Sequence, residues 1–290
     1  MCWQRWRERL IEGTIAICGV SSILMVILIF LFLLKEGLAL FQTVSVGAFL
    51  GGDRWYPISE PPRFGILPMI LGSCAVTAGA VALAVPVSIA SALFISEVVT
   101  GWTKDVLKTG IELLAAIPSV VLGFIGMVVL APWIKQGFHL PTGLTALTGS
   151  ITLAFMAMPT IVSITEDALA AIPRGHREAA LALGATRWQM MSRVLLPAAR
   201  PGILAAIMLG IGRVIGETMA VMMVTGNAAV IPHSLLQPIR TMTATIAAEM
   251  GEAVRSSDHY FALFAIGMVL FVISFFVNVL ADLFLHQERS

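Results

Sequence analysis

The run Gly13–Leu34, GTIAICGVSSILMVILIFLFLL, holds 22 consecutive residues without a charge. A helix needs about 20 apolar residues to cross roughly 30 Å of hydrocarbon, so this stretch spans a membrane by length alone. Arg5, Arg7 and Arg9 precede it. A cleaved signal peptide would have a shorter apolar core and a small-residue cleavage site, so the run reads as an uncleaved signal anchor. Working outward, five more segments have the same character: 66–95, 111–133, 144–165, 201–226 and 261–284. Their continuous apolarity, with no two-residue alternation, excludes a β-barrel. The fold class expected is therefore all-α, a polytopic membrane protein with six transmembrane helices.

Composition agrees. Of 290 residues, 58% are hydrophobic and 12% charged, and the mean hydropathy is +0.92. A soluble domain carries roughly a quarter charged residues, so this chain has too little polar surface to cover a globule in water. That excludes a soluble enzyme and a disordered chain. A net charge of +1 gives no field to draw a polyanion, so no nucleic acid is expected as partner. Cys2, Cys18 and Cys74 follow no metal-ligand spacing and read as small buried side chains. No metal site is expected.

Loop charge sets the orientation. With the N-terminus inside, inner segments carry eleven of the 18 Lys and Arg residues and outer segments six, which favours N-in, C-in. The chain then divides into an inner N-terminus (1–12), the first span (13–34), a periplasmic loop (35–65), a core of five spans (66–285) and an inner tail (286–290). Trp55 and Tyr56 in the first outer loop suit the headgroup level. A second outer segment, 227–260, contains a short helical stretch near Met242–Val254.

The inner loop 166–200 differs in kind. Glu178-Ala179-Ala180-Leu181-Ala182-Leu183 is a strong helix former, with Pro173 upstream suiting a helix start. Gly184 can supply a left-handed cap. Thr186 can cap a second helix from Arg187 to about Leu195, stopped by Pro197. The loop is thus helix, sharp turn, helix at the membrane face.

Four charges fall inside the spans, Glu112 and Asp282 at span ends and Arg213 and Glu217 in the interior. Arg213 and Glu217, four residues apart in the fifth, would share one helix face with about 6 Å of rise between them. A charge at mid-membrane costs about 2.5–3.5 kcal/mol on insertion scales, so such residues face a bundle interior or a watery path. They could simply neutralise each other, or bond to neighbouring helices, and so lock the bundle. Thr218 and Asn227 are further polar groups near the same path. All five histidines fall outside the apolar segments.

The spacing Glu178-Ala179-Ala180, three residues, Gly184, nine residues, Val194, one residue, Leu196-Pro197 resembles the EAA loop of ABC transporter permeases, with Val194 where that family usually has isoleucine. Glu112 to Val121, Met158-Pro159-Thr160-Ile161-Val162-Ser163 and Gly212 to Val221 resemble the membrane core of phosphate-specific (Pst) permeases. The Glu217-Thr218-Met219-Ala220 version is similar to the C-type (PstC-type) subunit. The likeness covers roughly residues 60–285. It implies a type I ABC importer permease fold in a bacterial or archaeal inner membrane. Its implied partners are a second, PstA-type permease, a dimeric PstB-type ATPase and a PstS-type periplasmic phosphate-binding protein. Glu178, Ala179, Ala180, Gly184, Leu196 and Pro197 would dock on the ATPase. No Gly-Lys-Ser/Thr is present to cradle ATP, so this chain would bind no cofactor and ATP would sit on the partner.

On that resemblance Arg213 becomes a waypoint whose guanidinium fork matches two phosphate oxygens. Glu217 would accept the O–H that phosphate keeps near neutral pH and would repel sulfate, which has none. Competing readings are a permease for sulfate or molybdate, a channel or secondary transporter, and an intramembrane protease. The last lacks a His beside a Ser, or paired Asp residues, inside the spans.

Overall fold

The structure, a computed structural model, describes residues 2–287, with side chains described at 11–280 and at Leu283. Part of the expected tail (288–290) and the side chains of Cys2, Arg5, Arg7, Arg9 and Asp282 lie outside the described residues.

The chain is a helical bundle decorated by one outer hairpin. Helix α1 (Cys2–Ala39) leads into the short α2 (Val46–Gly51) and a two-stranded antiparallel pair, β1 (Trp55–Tyr56) and β2 (Arg63–Phe64). Helix α3 (Leu67–Leu93) runs unbroken through Pro86 and ends in a wide turn, Phe94–Val98. Then come α4 (Trp102–Ala115), α5 (Ser119–Ile125), a second wide turn (Gly126–Leu130), α6 (Ala131–Gly137) and α7 (Ala146–Ala170). The inner loop supplies α8 (Arg174–Ala182), α9 (Arg187–Met190), a third wide turn (Met191–Leu195) and α10 (Leu196–Ala198). Helices α11 (Arg200–Ile215), α12 (Met219–Val224), α13 (Met242–Glu249) and α14 (Asp258–Gln287) complete the chain.

Five helical segments are long and apolar enough to cross a membrane: Ile11–Gln42, Leu67–Val98, Ser119–Gly137, Ala146–Ala170 and Asp258–Leu280. Helix α11 joins the preceding Arg187–Ala198 segment at a 71° bend, and this bent pair, fifth in chain order, brings the spans to six. This matches the expected architecture, with the span ends shifted, the first span running on to Gln42. The third span starts at Ser119, because Pro118 ends the α4 stretch. Glu112 therefore rides on α4, outside the span. The fourth span runs to Ala170 and carries Glu166, a buried carboxylate, past the expected end at 165. Pro197 does not stop the second inner helix; the wide turn before it accommodates the missing N–H, and the chain bends only at Ala199.

The core stacks in three layers along the bundle. The middle layer packs Val76, Ala80 and Ala84 of α3 against Leu153, Ala157 and Ile161 of α7 and Ala206 of α11. Small residues let these backbones close. A Cβ on Gly79 would lie 2.4 Å from Ser150 Oγ, whose hydroxyl donates to the Val76 carbonyl at 3.2 Å across the two helices. Gly79→Leu should therefore cost about 1–3 kcal/mol by overpacking. It would show as a lower Tm of the purified protein, and an unchanged Tm would overturn this account of the α3–α7 seam. The outer layer joins Leu40, Phe49, Trp55 and Phe64 to Met242, Leu263 and Ile266. The inner layer joins Leu93 and Ile95 to Leu169, Ala180, Met190 and Leu195.

Helix α1 stands outside this core. It packs on α14 through the Phe30–Phe271 stack (4.8 Å), the Phe32–Phe264 edge contact (5.4 Å) and the buried Gly37 against Ala265, and most of its other described side chains are exposed. Cys18 and Cys74 are exposed on α1 and α3, correcting the expectation of buried thiols: an apolar run with a solvent as oily as its core need not bury its small residues. Trp55 is also corrected. It is 4% exposed, its ring lies in the outer layer, and its Nε1 donates to Glu249 at 3.0 Å.

Candidate functional site

The fifth span breaks where its charges lie. Helix α11 ends at Ile215, and Gly216-Glu217-Thr218 leave the helix before α12 begins. Gly216 is a poor helix former, and the Thr218 hydroxyl bonds back to the Gly216 carbonyl (3.2 Å), which favours the turn. The freed Glu217 carbonyl accepts from the Thr243 hydroxyl at 2.9 Å. Glu217 Oε1 accepts from the Ala220 N–H at 3.1 Å and so holds the first turn of α12. The pair expected on one helix face is therefore split: Arg213 sits on the last turn of α11 and Glu217 in the break. No ion pair joins them among the described residues, which removes mutual neutralisation; the other expected way of locking the bundle, a bond to a neighbouring helix, is present at Arg213.

Arg213 is half-buried, and its Nη1 donates to Thr160 Oγ1 at 3.1 Å. Thr160 follows Pro159 inside α7. A guanidinium has five N–H donors, and among the described residues Arg213 makes no other hydrogen bond. Glu217 likewise uses one carboxylate oxygen and leaves Oε2 without a bond among the described residues. A fixed cation with unused donors and a nearby carboxylate can take an anion that still carries a proton. Thr160 was missed as a contact; it was visible only as part of the Met158-Pro159-Thr160 run. Thr218, by contrast, spends its hydroxyl on its own turn, and Asn227 lies elsewhere.

Asn227, at φ +53°, accepts from Arg240 Nε at 2.8 Å on its side-chain oxygen. Arg240 also pairs with Glu249, which takes further hydrogen bonds from Trp55 and at 2.9 Å from His259 Nε2. This knot ties the hairpin, α13 and the start of α14 together at the outer end. His259 thus falls on the first turn of the sixth span helix.

At the inner end the expected loop geometry is present. Gly184 adopts φ +81°, a left-handed value that costs glycine nothing. The Ala185 N–H reaches the Ala180 carbonyl (3.1 Å) and the Gly184 N–H the Leu181 carbonyl (3.0 Å), the paired bonds of a Schellman cap. Thr186 and Gln189 close a capping box on α9. Glu178, Ala179, Gly184 and Pro197 are exposed, Leu196 half-buried, and Ala180 turned inward at 8%. Leu183 is 89% exposed and Trp188 68%. Beside this loop Lys104 and Lys108 pair with Glu166 at 3.0 and 2.7 Å. The hydrogen bond to Glu166 raises Lys108 above the usual lysine pKa, against a smaller opposing effect of burial.

A span broken at its two charged residues and a helix–turn–helix with exposed apolar groups at the inner face are the features that suit a membrane permease. Residues 84–289 match the family model of the binding-protein-dependent transport system inner membrane component, and the chain belongs to that family. It is a multi-pass membrane protein and a permease of an ABC importer. It is 42% identical to the probable ABC transporter permease protein YqgH of Bacillus subtilis, over 94% of this chain and 89% of that one. It is 38% identical to the phosphate transport system permease protein PstC of Mesorhizobium japonicum (81% and 76% covered) and 32% identical to PstC of Haemophilus influenzae (99% and 96%). The fold is shared with inward-facing MetNI, a methionine ABC transporter (TM-score 0.62, 18% identity, 79% and 99% covered). It is shared too with a bacterial ABC transporter that imports alginate (TM-score 0.60, 17% identity, 94% and 98%).

Proposed function

We propose that this chain is the transmembrane permease subunit of an ATP-driven inorganic phosphate importer and forms half of the translocation path. The observation that carries this is Arg213: a cation inside a broken span, held by one neutral hydroxyl, with its other donors unspent. The likeness to the PstC relatives supports phosphate as the cargo. Arg213 binds or guides phosphate oxygens, Glu217 accepts the phosphate O–H on Oε2, and Thr218 lines the same turn. Other oxyanions such as sulfate and molybdate are the rival cargo.

Glu178, Ala179, Ala180, Gly184, Leu196 and Pro197 couple the path to a separate PstB-type ATPase dimer, where ATP is bound and hydrolysed. This chain is non-catalytic and holds no cofactor. A PstA-type permease completes the path, a PstS-type protein delivers phosphate, and the assembly sits in the inner (cell) membrane. The direct test is radiolabelled phosphate uptake by the reconstituted complex, with ATP hydrolysis measured in parallel.

The carboxylate makes a separate prediction. Glu217→Gln keeps the size and can still bond near Ala220, but removes the charge that repels a fully deprotonated anion. Sulfate should then compete with phosphate uptake about tenfold better, a loss of roughly 1.4 kcal/mol of discrimination. Unchanged sulfate competition would remove Glu217 from selectivity.

A further inference from the structure

Arg177, the residue just before Glu178, makes five side-chain hydrogen bonds from the inner loop. Arg177 Nε reaches Glu97 Oε1 and Oε2 at 3.2 and 3.3 Å, and Nη2 reaches Oε1 at 2.8 Å. The same guanidinium donates to the Leu169 carbonyl at 2.9 Å and the Ile172 carbonyl at 2.8 Å. Leu169 is in the last turn of α7 and Ile172 lies just past its C-cap, Ala171, so both carbonyls mark the inner end of that helix. Glu97 lies in the wide turn that ends the second span, and its side chain is 8% exposed. One planar group on α8 is thus fastened to the inner ends of spans two and four at once.

We propose that Arg177 and Glu97 form the strut through which movement of α8 is passed to spans two and four. The apolar contact beneath α8 is slight: Ala180 is its one buried residue. An alanine against the inner layer can slide, whereas a five-bond guanidinium fork fixes direction as well as distance. Arg177 is therefore a positioning residue, which acts on the path without touching substrate. Lys104, Lys108 and Glu166 tie α4 to α7 nearby but do not reach α8.

This inference rests on the permease reading, and its test separates the two. The complete reconstituted transporter is assayed for substrate carried per ATP hydrolysed. Glu97→Gln, which removes the charge and keeps the shape, should lower that ratio at least about tenfold while ATP hydrolysis continues. Glu97→Asp, which keeps the charge, should retain most of it. Lys108→Gln, which cuts the neighbouring pair, should leave the ratio as in wild type. The strut is overturned if Glu97→Gln keeps the wild-type ratio, if Glu97→Asp falls equally, or if Lys108→Gln falls as far. Should Glu97→Gln fail to assemble, Arg177→Lys keeps the charge without the fork; the same drop supports the strut and a wild-type ratio overturns it. Failure of the permease reading would look different, as wild-type complex without ATP-driven uptake.

Discussion

Arg213→Gln should abolish phosphate uptake in the reconstituted complex while subunit assembly and ATP hydrolysis persist. Hydrogen bonds to charged groups contribute about 1.5–3 kcal/mol each. Losing a two-pronged grip on an oxyanion therefore costs roughly a hundredfold or more in rate. The fold should tolerate the change for two reasons. Glutamine can still donate to Thr160, the one partner Arg213 has among the described residues. Removing a charge from the membrane interior also relieves about 2.5–3.5 kcal/mol on insertion scales. Arg213→Lys should fall between, since it keeps the charge but loses the fork. Normal uptake by Arg213→Gln would sink the transport role of this residue.

Gly184→Val should release the ATPase. A Cβ at this position would meet nothing within 4 Å, so the substitution adds no clash. Its whole effect falls on the backbone, where φ +81° costs a β-branched residue about 1–3 kcal/mol. The turn would relax to a right-handed conformation and lose the two bonds that cap α8. Leu183 and the α9 helix with Trp188 would then point away from their present directions. Recovery of the ATPase on purified permease should fall about tenfold, the equivalent of roughly 1.4 kcal/mol. Gly184→Asn tests the cause, because asparagine tolerates the left-handed region. If Asn and Val lose the ATPase equally, the backbone explanation fails.

The spans were legible because bilayer physics is coarse. Twenty apolar residues without a charge admit few alternatives, and the six runs emerged close to their observed places. The inner loop was legible for a local reason: Gly184, Thr186 and Gln189 cap helices within five residues of one another. What escaped the sequence was set by distant contacts. The break at Gly216-Glu217-Thr218 is stabilised by Thr243, 26 residues away, so the window 201–226 reads as one helix. Glu97 meets Arg177 across 80 positions and Trp55 meets Glu249 across 194, pairings that no local pattern encodes. Pro118 and Pro197 show the limit of single-residue rules. One ended a helix and the other was absorbed by a wide turn.

Among the described residues, helix α1 touches α14 through aromatic contacts and the close approach of Gly37 to Ala265, and most of its other side chains are exposed. Within this chain, selection on its remaining faces has little to read except oiliness. Leucine, isoleucine, valine and phenylalanine are interchangeable to a hydrocarbon solvent. For an engineer this is the part of the molecule that can be rewritten, spliced or tagged, provided its thickness in the membrane is kept.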